Sequence, residues 1–248
     1  TARSHLLATG WEAAAFVTAA AATFRVSAAR WDIIRSPGSA ANGGRDVAEF
    51  IGAEAYFFAG PVLRAVRQAD GDLPSRLLAE CVKGIIQAET YLYRERGFMD
   101  AEAYEASWKE NYTGTCRLYS NPDRITCSWS NHIADRVWGG ILFSRGKTAV
   151  VTDTGGGALT VAGNFIDSFH ELAVRLAIAA GTVTAAAGNF LRAPDPVCPE
   201  TAAALAALPG TPLAALGRQD VIRLVGGAQG CVHLADLINH MLTVVPGR

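Results

Sequence analysis

An excess of charge of either sign is missing from this chain. Its 248 residues carry 22 Lys and Arg against 23 Asp and Glu, a net charge of −1. Without a basic surplus there is little to displace counterions from phosphate, so nucleic-acid binding is disfavoured. Long hydrophobic runs are missing too. Half of the residues are hydrophobic, yet none of the apolar stretches reaches the roughly 20 residues of a bilayer-spanning helix, and no membrane partner is expected. Cysteine is scarce. The five residues Cys81, Cys116, Cys127, Cys198 and Cys231 are odd in number and lack paired spacing, which argues against a disulfide framework and for a reduced, cytoplasmic protein. The phosphate-cradling and hydrolase motifs are absent as well. "TDTGGGALT" (152–160) has the glycines of a nucleotide loop but no following Lys-Ser/Thr, and there is no Gly-x-Ser-x-Gly or His-Glu-x-x-His. Dehydrogenase, kinase and α/β-hydrolase readings are therefore poor, and neither a cofactor nor a metal is expected.

What is present is a pattern of short strands and helices. "KTAVVTD" (147–153), "GALTVAGNF" (157–165), "HELAVRLAI" (170–178) and "TVTAAAGNF" (182–190) are rich in small and β-branched residues. Glycines 155–157 and Ala180-Gly181 part them as hairpin turns would. Leu172, Val174, Leu176 and Ile178 alternate with other positions, the period of a half-buried strand. Helices are expected over 199–208, near 212–217 and over 230–244, and in the first half over 46–69, 73–96 and 101–110. Leu77, Cys81, Ile85, Ala88 and Leu92 recur at helical spacing. Pro74 suits a first turn and Asp100 an N-cap. "AAAFVTAAAATFRV" (13–26) has the composition of an export-signal core, but Trp11 and Glu12 precede it and the basic flank is thin, so it reads as a small-residue strand.

Two passages are alike. Asp32-Ile-Ile-Arg-Ser-Pro37 matches Asn189-Phe-Leu-Arg-Ala-Pro194, Glu12 and Glu171 precede them at nearly equal distance, and "LLAECV" (77–82) falls where "HLADLI" (233–238) does. The order strand, turn, strand, Arg-x-Pro, helix, helix suggests an internal duplication. The expected architecture is α+β, with two related halves, 1–110 and 146–248, each an antiparallel sheet segment packed by helices. A polar and aromatic connector, 111–145, joins them.

"HELAVRLAI", the Arg-Ala-Pro turn with Cys198, and "GGAQGCVHLADLI" together resemble the bacterial domain of unknown function 2889 over roughly residues 145–245. The Gly-Cys-x-His-Leu element carries most of that resemblance. In the first half its place is taken by Ser75-Arg-Leu77, so a first copy of the site would not be chemically equivalent. The resemblance implies a family and no activity.

Several residues are candidates for chemistry. Cys231 would sit at a helix N-terminus, where free N–H groups favour a thiolate, with His233 and Asp236 near it. A buried structural Cys is the plainer reading. Cys198, His170 and His240 would complete a metal set, but the spacing fits no zinc pattern. Asp167 and His170 flank a tight turn and could form an acid/base pair. Arg35 and Arg192 hold matching places before a proline, where either could pin a carboxylate or bind an anionic or phenolic group. Tyr91, Tyr93, Arg94, Tyr104, Trp108, Lys109, Tyr112 and Tyr119 have the composition of a pocket for an aromatic ligand. A long connector holding Tyr112, Arg117, Tyr119, Arg124, Trp129, His132 and Trp138 is expected to close over that pocket. The leading expectation is a cofactor-independent lyase acting by acid/base chemistry, for instance a retro-aldol or formaldehyde-releasing cleavage, on a small hydroxylated aromatic compound. His170, Tyr112, His132 and Arg117 would be catalytic. Tyr119, Arg192, Arg35, Tyr91 and Trp108 would bind substrate. The alternatives are a non-catalytic binding protein for an aromatic or acyl ligand, and a Cys/His metal protein. Beyond the substrate, the one partner left open is a second copy of the chain.

Overall fold

Along β7 (Glu171–Ala179) Leu172, Val174, Leu176 and Ile178 are buried while the residues between them are more open. This period of two belongs to a sheet with one covered face. The computed structural model describes residues 1–39, 41–129 and 140–247. They form two four-stranded antiparallel sheets packed by helices, an α+β fold. The first sheet has the order β1-β2-β3-β4 and contains β1 (Ala2–Ala8), β2 (Trp11–Ala19), β3 (Val26–Arg35) and β4 (Gly43–Asp46). The second has the order β5-β6-β7-β8, with β5 (Arg145–Gly155), β6 (Ala158–Asp167), β7 and β8 (Thr182–Arg192). The helices are α1 (Gly60–Asp70), α2 (Asp72–Leu92), α3 (Ala101–Tyr112), α4 (Arg218–Val225) and α5 (Val232–Leu242). The chain divides into two compact units, one built on Thr1–Tyr104, the other on Ser144–Arg248 together with the segment that begins at Glu105.

In the first unit, Ala13, Ala15 and Val17 of β2 and Val26 and Ala29 of β3 face Leu77, Leu78, Cys81, Val82 and Ile85 of α2. The expected stripe of α2 is the one that is buried at Leu77, Cys81 and Ile85. Near its end Glu89, 2% exposed, accepts hydrogen bonds from the Tyr56 hydroxyl at 2.6 Å and from Arg96 Nε at 2.8 Å. A buried carboxylate is tolerable because both donors reach it. Asp100 caps α3, accepting from the Ala103 N–H at 2.8 Å. Residues 46–69, read as one helix, instead hold β4's last residue, two 3-10 turns (Ala48–Phe50, Phe57–Ala59) and α1. Gly52, at φ +80°, breaks the run between the two turns. Residues 199–207 wind as a 3-10 helix, and α4 goes beyond the helices expected.

In the second unit α5 lies across β5, β6 and β7. A Cβ on Gly163 would come within 2.5 Å of Met241 Cγ and 3.2 Å of Leu237 Cδ1. Glycine at this one strand position lets α5 descend onto β6. Gly163→Val should cost about 1–3 kcal/mol through overpacking. Ala162→Val, on the exposed face of the same strand, should change stability by less than about 0.5 kcal/mol. Equal losses in a urea titration would show that the close approach is not what constrains residue 163.

The central hairpins of the two sheets share a register. Glu12 pairs with Arg35 as Glu171 pairs with Arg192. Each pairing is followed by a bulge, at Glu12/Ala13 and Glu171/Leu172, and each hairpin has a second bulge, at Thr18/Ala19 and Ala177/Ile178. One strand earlier, Leu7 pairs with Glu12 and Ile166 with Glu171. Bulges re-aim strands at defined steps, so shared bulge positions are a finer likeness than shared strand order.

Candidate functional site

Two residues, Ser168 and Phe169, make the turn from β6 to β7, and Asp167 and His170 flank it. The turn closes through the Asp167 N–H donating to the His170 carbonyl at 2.8 Å. An Asp opening such a turn folds its carboxylate onto the turn's own N–H groups. Here Oδ1 accepts from the Phe169 N–H at 2.8 Å and the His170 N–H at 2.7 Å. The same oxygen lies 3.0 Å from His170 Nδ1. Both side chains are buried. Burial works against the charged carboxylate. The hydrogen bond and charge of His170, helped by the Phe169 N–H, outweigh it and hold Asp167 below the ordinary carboxylate range. An ionised carboxylate only accepts, so Nδ1 carries the hydrogen and Nε2 is the basic nitrogen of His170.

A second imidazole comes from α5. His233, Leu237 and Met241 are four residues apart and share one face of the helix. With Leu237 and Met241 seated on Gly163, His233 lies over the end of β6. Its ring is 5.2 Å from that of Phe165 and 3.9 Å from that of His170, tilted 33° from the latter. Its Nε2 is 3.9 Å from Asp167 Oδ2. Burial, then the charge of His170, push His233 well below the ordinary histidine pKa, and Arg145 adds to this while Asp167 opposes it. His233 is therefore neutral at neutral pH. Arg145 pairs in register with Asp167 across β5 and β6. Its terminal nitrogen is 3.5 Å from Asp167 Oδ2 and its guanidinium lies over the Phe165 ring at 5.1 Å.

Donor atoms of Asp167, His170 and His233 fall within 4.8 Å of one another, and these three residues could hold a metal ion. Two further features belong to the same group. Arg145 already places a cation against the carboxylate, and Oδ1 is engaged by three N–H groups.

Cys231 is the N-cap of α5, as expected, but is 6% exposed. Burial pushes its thiol up to about 11 in spite of the neighbouring N–H groups. Its Sγ is 3.8 Å from His233 Nδ1. A protonated, enclosed thiol is a packing group, and this removes the basis for a nucleophile. Cys198 is raised further, to about 12, first by burial. Gly230 precedes Cys231 because a Cβ there would collide with the Val225 carbonyl.

The other candidates fall in several places. Arg192 lies beside the turn, donating to the carbonyls of Asp167, Ser168 and His170. Arg35 is exposed and has no hydrogen bond or ion pair among the described residues. The corresponding positions thus do different things. Arg117 is held by Glu200 at 2.6 Å and by Gln229 at 2.7 Å, and Arg124 joins it on Glu200. These contacts pin the connector within the second unit, where a catalytic or ligand-closing Arg117 was expected. Tyr112 stacks on Trp108 with ring centres 4.1 Å apart. Tyr119 is buried and accepts from Trp129 Nε1 at 2.9 Å, and the Trp129 ring meets Phe169 edge-on at 4.7 Å. The cavity beside Tyr119 and Trp129 measures about 10 Å³, room for about one water. Of the expected aromatic cluster, Tyr91, Tyr93, Arg94 and Tyr104 belong to the first unit and Trp108, Lys109, Tyr112 and Tyr119 to the second. His132 lies outside the described residues. In the sequence nothing singles out Arg145, and His233 stands out only beside Cys231. The pairing of each with Asp167 depends on cross-strand register and on the approach of α5.

Among the described residues no helix is long and apolar enough to cross a membrane. No curated protein and no solved structure matches the chain. Residues 149–246 match the family described as a protein of unknown function, DUF2889, in the place that the His-Glu strand and the Gly-Cys-x-His-Leu element indicated. Asp167, His170 and His233 all lie inside this match.

Proposed function

We propose that the second unit carries an acid/base catalytic centre in which His170, oriented by Asp167, moves the proton, and that the protein is a cofactor-independent lyase acting on a small hydroxylated aromatic compound. The observation that carries the reading is the 3.0 Å contact between His170 Nδ1 and a buried, ionised Asp167. That pairing fixes one tautomer and leaves one basic nitrogen. In a formaldehyde-releasing cleavage, Nε2 takes the proton of a hydroxymethyl group. Its oxygen forms the carbonyl, the carbon–carbon bond breaks, and the electron pair enters an electron-poor centre conjugated with the ring. His170 then returns the proton to the product. Arg145 supplies positive charge beside the reacting groups. The test is to assay the purified protein, after chelator treatment, on hydroxymethyl-bearing phenolic compounds for released formaldehyde. Activity that survives chelation supports the reading. Stoichiometric metal that is lost on His170→Ala, with activity restored only by adding metal back, would move the cluster to metal chemistry.

A further inference from the structure

Arg192 makes three hydrogen bonds to the backbone that carries the proposed base. Its two terminal nitrogens donate to the Ser168 carbonyl at 2.9 Å, the Asp167 carbonyl at 2.6 Å and the His170 carbonyl at 3.2 Å. These are three of the four carbonyls of the turn. A planar guanidinium gives such a fork a fixed geometry that an ammonium cannot. The first sheet provides an internal control. Arg35 has the same register opposite Glu12, and the same bulge follows it. The positions matching Asp167 and His170 are there Ala8 and Trp11, which pair across the turn from β1 to β2. Arg35 makes no such clamp. The carbonyl fork is present where the turn bears an Asp and a His and missing where it does not.

We propose that Arg192 is a positioning residue for His170: by fixing the turn carbonyls it sets the distance between His170 Nδ1 and Asp167. This rests on the acid/base reading of that pair. The Ser168 carbonyl shares its peptide plane with the Phe169 N–H that Asp167 captures, the Asp167 and His170 carbonyls hold the planes at the two ends of the turn, and the geometry of the Asp–His contact follows from these planes. A purely structural Arg would move melting temperature alone. A positioning Arg also moves the His170 ring.

The experiment compares Arg192→Gln and Arg192→Lys with the parent protein by proton NMR of the imidazole N–H region and by steady-state kinetics. The expected result is a downfield His170 Nδ1–H signal, assigned by its disappearance in His170→Gln. In Arg192→Gln it should shift upfield and exchange with water at least tenfold faster, with Arg192→Lys intermediate. kcat should fall about 10- to 100-fold with KM changed less than twofold. An unchanged signal in folded Arg192→Gln overturns the proposal, whatever the activity. Full activity of His170→Gln would instead overturn the catalytic reading, and the NMR comparison of Arg192 variants would stand apart from that result.

Discussion

His170→Gln should lower kcat by about 10²- to 10⁴-fold, the range that a positioned acid/base group contributes, while circular dichroism and gel filtration remain those of the parent. Asp167→Asn should be nearly as severe, for a reason specific to this turn. The Asp carboxylate only accepts, and it holds the hydrogen on Nδ1. An Asn side chain can turn its amide toward the ring and donate, which moves the hydrogen to Nε2 and removes the base. The two changes act on one unit, so the double variant should be no worse than the weaker single variant by more than a few fold. Near-normal turnover by Asp167→Asn would show that the carboxylate is a turn-former only. Asn can still accept from the Phe169 and His170 N–H groups, and it opens tight turns as readily as Asp does. The substitution therefore separates the structural role of Asp167 from its electrostatic one.

How far the sequence foretold this centre depends on which contacts are local. Asp167 and His170 are three apart around a tight turn, so their meeting is a property of a short segment. The strand limits around them followed from the alternation of Leu172, Val174, Leu176 and Ile178 in the same way. The shared order of the two halves was legible through Glu12 with Arg35 and Glu171 with Arg192, which the structure places opposite one another in register. What stayed hidden depends on distant residues. His233 reaches Asp167 only because residue 163 has no side chain beneath Met241. Nothing in "GNFID" marks that glycine as a helix seat. Cys231 was conspicuous because a helix N-terminus favours thiolates, but its enclosure, which outweighs that preference, is set by the whole core of the second unit. The connector was legible through composition only as a segment that must bury its aromatic residues. Tyr119 is buried, Tyr112 and Tyr119 pack against Trp108 of α3, and Trp129 meets Phe169. Aromatic residues in an irregular segment demand burial, and core burial satisfies that demand as well as a ligand does.

Below neutral pH, His233 should be the residue that unsettles the second unit. Its folded pKa is depressed, first by burial and then by the charge of His170, while in the unfolded chain it titrates near about 6.5. Below that value the unfolded chain takes up a proton that the native state refuses. Stability is therefore at its full value above about pH 6.5 and falls as pH drops, by about 1.4 kcal/mol per pH unit for one proton, until the folded pKa is reached. Asp167 acts with the same sign in a separate, lower window. Its folded pKa is lowered, so its contribution is present above the ordinary carboxylate range and is lost only below about pH 4. Urea midpoints of parent and His233→Gln, measured at steps from pH 7.5 to 5.0, bring out the first effect, because groups remote from His233 titrate alike in both proteins and cancel in the difference. The variant should lose some stability at pH 7.5, where a packed ring is replaced, and should overtake the parent as pH falls toward 5. Parallel pH curves for the two proteins would mean that His233 takes up a proton in the native state as readily as in the unfolded one. The neutral imidazole beside His170 would then have to be given up.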